Sequence, residues 1–325
     1  MSDLINRPNL IEESLISESG NVKNELMAKV NKPVWRNFYA TTEAMGDKSM
    51  PASESINTLK NIDLTDIVEF HRRTHVAPNL RFVIVGNFSG DKLEGLKSGL
   101  EGLCVADAGE RLDIVDCKLH SAKPVVHIDQ NAAAISMRIL LNRHVEFAPK
   151  EWTTSRFLNH ILSGNMDSLL FGEVRKRGLA YSLNTFTERD GRNVNESIET
   201  SSTPNNLLTI SRIIRNGLDK ILNDDIDQPT LDSTRTYLIG KHSIDFEIAK
   251  SLANHFATFY FYDESINDPK DELERIKSVT KDDIIKMLQS FITQRTWTVG
   301  LYGNVPDGYE DKLYNELNKI FERQP

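Results

Sequence analysis

Apolar residues recur every three or four positions in several stretches of the second half of the chain, which is the period of a helix with one buried face. The pattern predicts helices over Lys150–Ser163 and Ser168–Arg177, the latter ended by Gly178, and a long helical region over Thr230–Tyr262. A further amphipathic helix is predicted where apolar side chains share one face, at Leu207, Ile210, Ile214, Leu218 and Ile221.

Short apolar runs between these helices predict strands at Pro124–Ile128, Ala134–Asn142 and Val194–Thr200. Predicted strands follow one another in groups, and so do predicted helices. This order favours antiparallel sheets with helices packed on one face. We therefore predict an α+β fold.

An internal repeat organises the chain, because Ile62–Leu103 aligns with Val279–Ile320 without a gap at an offset of 217 residues. Each copy predicts a capped helix, a short strand that ends in Gly-Asn, and another helix. The two predicted strands are Leu80–Val85 and Trp297–Tyr302. Each first helix has a cap residue followed three positions later by an acid that can reach back to it, namely Asp63 with Asp66 and Thr280 with Asp283.

The repeat predicts two homologous domains. We assign residues 1–112 to the first domain, 113–123 to a linker and 124–325 to a complete second domain. If the second domain starts near Ser121, its counterpart in the first domain would start 217 residues earlier, at 121 − 217 = −96. Roughly 97 residues of the first domain are therefore expected to be absent.

Charge and composition narrow the class of protein. The net charge of −8 argues against a nucleic-acid binder. The longest apolar stretches fall far short of the roughly 18 to 20 residues that cross a bilayer. The first residues lack the basic and apolar regions of a secretory signal, and two cysteines imply no disulfide framework. We therefore expect a cytoplasmic protein that binds neither nucleic acid nor membrane.

The sequence contains no phosphate loop, no dinucleotide-binding glycine motif and no nucleophile elbow. His71 and His75 lie one helical turn apart, which is a spacing of zinc ligands, but no carboxylate lies between them to act as a base. The second copy of the repeat has the apolar residues Leu288 and Ile292 at these positions. We interpret the pair as half-buried structural histidines, with a metal site as the alternative.

Two further groups could carry chemistry. Glu18 and Glu25 lie two helical turns apart, on roughly one face of a helix, which on its own is typical of a solvated surface. The segment from Gly164 to Ser182 is an apolar helix closed by a basic cluster, and it is either a capped core helix or an anion site. In the second case Arg175 or Arg177 would bind a carboxylate or a phosphate.

Three stretches resemble the pitrilysin/insulinase family of zinc peptidases, which includes the mitochondrial processing peptidases. Leu169–Ser182 is similar to the signature of the family's C-terminal domain, Phe70–Asn87 to the end of its first domain, and Glu18–Leu26 to the segment that carries its distal zinc glutamate. The resemblance extends from about Glu18 to Phe321 and implies two homologous α+β domains.

The resemblance also implies roles for individual residues. Glu25 would be the third zinc ligand and Glu18 a helper carboxylate, while Tyr181 and Arg175 would contact the substrate carbonyl and the oxyanion. Arg175 lies six residues before Tyr181, one fewer than is usual in the family, so Arg177 is the fallback. The family's His-x-x-Glu-His motif, which supplies two ligands and the general base, is absent from this sequence.

Three interpretations follow from these observations. In the first, the chain is most of a zinc endopeptidase whose motif-bearing segment is lost, so that it is inactive alone and does not bind Zn²⁺ by itself. In the second, it is a non-catalytic subunit or peptide-binding partner of a zinc-bearing homologue. In the third, it is an unrelated α+β binding module. We expect a peptide or unfolded-protein substrate and a homo- or heterodimer with a family member, because an incomplete domain exposes apolar surface.

Overall fold

The computed structural model describes residues 5–103, 109, 111–113, 117–263 and 265–321. The chain divides into two compact units. The first comprises Met1–Val30, Met50–Val115 and Phe246–Ile266, and the second Asn31–Ser49, Asp116–Asp245 and Asn267–Pro325. These units are defined by contacts between residues and not by homology between domains. The predicted domain boundaries at 112 and 124 therefore stay a prediction. Residues 114–116 of the predicted linker lie outside the described part of the chain.

The described part of the first unit is helical. Its first helix, Glu12–Val30, packs against the helix Ala52–Leu59 and buries none of its own side chains. Its elements are α1 (Glu12–Val30), α3 (Ala52–Leu59), α4 (Leu64–Thr74), a 3₁₀ turn (Ala77–Asn79), α5 (Asp91–Glu101) and α10 (Ala249–Asp263).

The second unit contains a five-stranded sheet with the strand order β1-β5-β2-β4-β3. β1 pairs with β5 in parallel, and every other pair is antiparallel. The strands are β1 (Val125–Ile128), β2 (Ile135–His144), β3 (Leu183–Asp190), β4 (Asn193–Ser202) and β5 (Thr296–Gly303). The helices are α2 (Pro33–Ala44), α6 (Pro149–Ser163), α7 (Phe171–Lys176), α8 (Pro204–Leu222), α9 (Gln228–Glu247), α11 (Pro269–Ser278), α12 (Lys281–Gln294) and α13 (Tyr309–Phe321). The predicted α+β class is confirmed.

Alternation along β2 gives the sheet two different faces. Met137, Ile139 and Leu141 point into the apolar core, where side chains of α6, α8, α12 and α13 pack against them. Arg138 and Asn142 belong to the opposite face, which is polar but also buried. Helix α2 packs on that polar face, against β5 and β2.

Both predicted helix caps are confirmed. The side chain of Asp63 accepts a hydrogen bond from the backbone N–H of Asp66, and the Asp66 carboxylate accepts one from the N–H of Asp63. Thr280 and Asp283 form the same reciprocal pair at the start of α12. The three-residue spacing was sufficient to find them because a capping box is a local structure.

The predicted strand at Leu80–Val85 is wrong, because these residues join no ladder among the described strands. Its repeat partner, β5, lies between β1 and β2 and is paired on both sides. The difference shows in burial: Val299 and Leu301 are fully buried, whereas the matching Phe82 and Ile84 are 37% and 42% exposed. A strand requires a partner, which a local pattern does not guarantee.

Other predicted boundaries shift. The helix expected over Ser168–Arg177 begins only at Phe171, because the Asn165 side chain accepts from the N–H of Asp167 and forms a turn first. The helical region over Thr230–Tyr262 is broken at Ile248, close to where the chain passes from one compact unit to the other. Strand β3 was not predicted from the sequence. Among the described helices, none has the length and apolar character to cross a membrane.

Candidate functional site

The segment after α7 presents Tyr181 to solvent. Gly178 follows the helix with φ +64°, a left-handed conformation that ends it, and the N–H of Leu179 then donates to the carbonyl of Val174 at 3.0 Å. Ala180 is buried and anchors the chain, while Tyr181 is 81% exposed. The ring therefore projects outward from a fixed backbone.

Hydrogen bonds on both sides of Tyr181 fix that backbone. The carbonyl of Leu179 accepts from Asn206 Nδ2 at 3.0 Å and from the Ser202 hydroxyl. The carbonyl of Ser182 accepts from the Thr200 hydroxyl at 2.7 Å. Since these donors lie on β4 and α8, the orientation of Tyr181 is set by the core of the second unit.

Arg175 and Arg177, the two arginine candidates, have different surroundings. The guanidinium carbon of Arg175 lies 4.6 Å from the centroid of the Tyr181 ring, which is a cation–π contact. Arg177 instead pairs with the carboxylate of Glu173 one turn earlier. The structure brings Arg175 and Tyr181 together in spite of their six-residue spacing. Both side chains are exposed, so both can donate to an oxygen atom of a ligand.

Glu18 and Glu25 both lie on α1 and are exposed. A separation of seven residues corresponds to a rise of about 10 Å along the helix. Asn21 Nδ2 lies 3.5 Å from Glu18 Oε2, so this carboxylate has a weak local donor. These two glutamates belong to the first compact unit, whereas Arg175 and Tyr181 belong to the second.

His71 and His75 stack on each other at the end of α4. Their ring centroids are 4.2 Å apart with 21° between the planes, and the Thr74 hydroxyl is hydrogen-bonded to His75 Nδ1 at 3.0 Å. His71 is half-buried, as predicted, but His75 is exposed. Across the described residues, no three His, Cys, Asp or Glu side chains are grouped so that they could hold a metal ion.

A buried arginine on the polar face of the sheet was not predicted from the sequence. Arg138 is 1% exposed and donates to the Thr41 hydroxyl at 2.8 Å and to the Ser197 hydroxyl at 3.0 Å. Its Nε lies 3.1 Å from a carboxylate oxygen of Glu199. Burial lowers the pKa of Arg138 to about 10. An arginine inside the predicted strand Ala134–Asn142 was visible, but its pairing with α2 was not.

A second unforeseen ionisable group lies on the core face of β4. Glu196 is 1% exposed, and the Thr187 hydroxyl donates to its Oε2 at 2.6 Å. Burial raises the pKa of Glu196 to about 8, although the hydrogen bond and the charge of Arg143 oppose that shift. The carboxyl group therefore retains its proton at neutral pH.

A family model described as "Peptidase M16 inactive domain" matches residues 61–238, which is more than half of the chain. The chain belongs to this family of the pitrilysin-type peptidases, and the resemblance noted in the sequence is confirmed. A search of the curated proteins finds no match.

Solved structures share the fold. A protease from Helicobacter pylori superimposes with a TM-score of 0.79 at 18% identity, over 93% of this chain and 74% of its own. A peptidase M16 inactive domain from Pseudomonas fluorescens gives 0.78 at 14% identity, over 94% and 74%. A chain of complex III2 from Candida albicans with Inz-5 bound gives 0.77 at 12% identity, over 97% and 76%. At these identities the likeness concerns the fold alone.

Proposed function

We propose that this chain is a non-catalytic member of its peptidase family that binds peptides through Arg175 and Tyr181. The observation that carries the proposal is the exposed cation–π pair on a rigid backbone. The Tyr181 side chain is 81% exposed, so its hydroxyl is accessible and can donate to a peptide carbonyl. The Arg175 guanidinium orients the ring and adds donors of its own.

Zinc does not fit the described residues of this chain. Glu25 offers one carboxylate, and a catalytic zinc site in proteins uses three protein ligands. The sequence has no His-x-x-Glu-His motif. We therefore assign to the chain the binding and orientation of a peptide, with hydrolysis belonging to a zinc-bearing homologue that joins it as a partner. A preorganised donor of the kind that Tyr181 offers would stabilise negative charge on the carbonyl oxygen in such an assembly.

The first experiment measures peptide binding by the whole chain. Fluorescence anisotropy would follow a fluorescein-labelled, unstructured 20-residue peptide. We expect Tyr181→Phe to weaken binding about fivefold, since a hydrogen bond contributes about 1 kcal/mol. Arg175→Ala should cost about tenfold, because hydrogen bonds from charged donors are stronger. Tyr237→Phe is the matched control, because Tyr237 is a second exposed tyrosine whose ring contacts another side chain, that of His160, at 4.2 Å between centroids.

Three outcomes would contradict this proposal. Binding that is unchanged in both Tyr181→Phe and Arg175→Ala would remove the pair from the site. A loss in Arg177→Ala without a loss in Arg175→Ala would transfer the role to Arg177. Hydrolysis of the labelled peptide by the purified chain with added zinc would refute the non-catalytic assignment.

The alternative is that Glu25 becomes a zinc ligand when a motif-bearing polypeptide is supplied. The test mixes the chain with a purified family member that carries the His-x-x-Glu-His motif and measures peptide hydrolysis and bound zinc. In that case Glu25→Ala should abolish the activity gained on mixing. Glu13→Ala, an exposed glutamate on the same helix α1, should leave it unchanged. Equal effects of the two substitutions would rule out a ligand role for Glu25.

A further inference from the structure

The segment Leu80–Val85 of the first unit has the sequence of a strand, but it joins no ladder among the described strands. The backbone N–H groups of residues 81–85 donate to no backbone carbonyl in the part of the chain that the structure describes. Backbone groups without partners along a strand-forming segment are a template on which another strand can pair. The segment is therefore able to receive a strand.

The second copy of the repeat indicates which kind of strand fits. β5 corresponds to the segment, and it lies between β1 and β2. Its longer ladder is the antiparallel one with β2, in which Val299 lies opposite Ile139 and Leu301 opposite Met137. All four side chains belong to the apolar core. The strand that fits beside β5 thus has apolar residues at alternate positions.

The first copy keeps the matching apolar positions. Phe82 and Ile84 correspond to the two β5 residues of that ladder, and they are 37% and 42% exposed. A strand paired in the register of β2 would place an apolar side chain opposite each of them. Cross-strand pairs of this kind stabilise an antiparallel ladder, and the removal of apolar surface from water adds to the main-chain hydrogen bonds.

A cleft of about 560 Å³ lies between the segment and α10. Arg81 and Val83, which alternate with the two exposed apolar residues, line one side of it. The lining on α10 includes Ala253 and Ala257, two short side chains one helical turn apart. The volume is within the range of about 300 to 1,000 Å³ that ligand pockets have. The cleft therefore has room for side chains on the second face of an added strand.

We propose that Leu80–Val85 is the receiving strand for an extended segment of a partner polypeptide. The added segment runs antiparallel to it, places apolar residues opposite Phe82 and Ile84, and directs its other side chains into the cleft beside α10. The site belongs to the first unit and involves neither Arg175 nor Tyr181. It goes beyond the proposed peptide binding by that pair and can fail or hold without it.

The test uses the strand that fills this position in the second copy. A fluorescein-labelled peptide with the sequence of β2, Ile135–His144, is titrated with the whole chain and followed by anisotropy. We expect saturation with a Kd on the order of 100 µM. The same peptide with lysine in place of Met137 and Ile139 should not bind. At saturation, hydrogen exchange of the chain should slow at residues 80–85, because their amides become paired.

Variants of the chain locate the binding. Ile84→Lys should weaken it by about tenfold or more, since the ladder would have to bury a charge. Ile16→Lys is the matched control, because Ile16 is an apolar residue of the same unit that is 67% exposed, and it should leave binding unchanged. Tyr181→Phe should also leave it unchanged, which separates this site from the peptide site proposed above.

Four outcomes would overturn the proposal. The first is the absence of saturation up to 1 mM peptide, on the order of ten times the expected Kd. The second is saturation without slowed exchange at residues 80–85, and the third is an equal effect of Ile84→Lys and Ile16→Lys. In the fourth, exchange at residues 80–85 slows as the concentration of the chain alone is raised, which would assign the segment to a second copy of this chain.

Discussion

Gly300 in β5 sets how closely α2 approaches the sheet. A Cβ atom at this position would overlap the side chains of Asn37 and Thr41 on α2. Asn37 Nδ2 donates to the carbonyl of Gly300 at 2.9 Å and to that of Ser136 at 3.1 Å. Gly300→Ala should therefore displace α2 from the polar face of the sheet.

The expected loss of stability has two parts. Forcing a methyl group into a packed interface costs about 1 to 3 kcal/mol. Displacing Asn37 weakens two buried hydrogen bonds, each with a net contribution of about 1 kcal/mol. Because a small shift of α2 relieves the overlap at the expense of the hydrogen bonds, the two parts do not add fully. We expect Gly300→Ala to lower the free energy of unfolding by about 2 to 4 kcal/mol.

Equilibrium urea unfolding measures this change, followed by the fluorescence of Trp297, which is 1% exposed on the same strand. Gly240→Ala is the control, because Gly240 lies within α9 and a Cβ there meets nothing within 4 Å. That substitution should stabilise the protein by up to about 1 kcal/mol. A loss below about 1 kcal/mol in Gly300→Ala would refute the close packing of α2 on β5.

Three further predictions concern stability. Burial raises the pKa of Glu196 from 4.5 to about 8. The bound proton therefore contributes its full free energy of stabilisation below pH 4.5, and this contribution is lost as the pH rises through 8. The loss is on the order of 4 kcal/mol. Glu196→Gln should abolish that pH dependence in urea unfolding, and an unchanged dependence would contradict it. Thr280→Ala removes a helix cap and should cost about 1 kcal/mol in urea unfolding, whereas Thr236→Ala, exposed within α9, should cost nothing. Leu301→Ala should lower the free energy of unfolding by about 2 to 5 kcal/mol, because Leu301 is fully buried. Ile84→Ala, at the matching position of the repeat, should lower it by less than about 0.5 kcal/mol. Equal losses of Tm in the two variants would contradict the different burial of the two copies.

Features that depend on neighbouring residues in the sequence were predictable. The capping boxes at Asp63 and Thr280 follow from a spacing of three residues, and α12 and β5 follow from their apolar periods. The strand at Leu80–Val85 has the same local pattern as β5, yet it has no ladder partner in the described chain. Pairing depends on residues distant in sequence, and the pattern of a single segment does not contain it.

The candidate site was predictable in part. Tyr181 and Arg175 were found through a family resemblance, and the structure adds their contact at 4.6 Å. Arg138 and Glu196 were missed because a charged residue in a strand is ordinarily assigned to the exposed face. Arg138 is buried by α2, a helix that was not predicted from the sequence. Only the packing of that helix on the sheet shows that the polar face is closed.

The uncovered segment Leu80–Val85 has a practical consequence for the protein in solution. It is a run of six residues with four β-branched or aromatic side chains, no proline and a single charge, which is the composition of a segment that stacks with copies of itself. The side chains of Phe82 and Ile84 are exposed and can contact other molecules. Arg81 is the one residue that opposes such stacking. Its replacement by a neutral residue should lower the protein concentration at which turbidity and thioflavin fluorescence first appear.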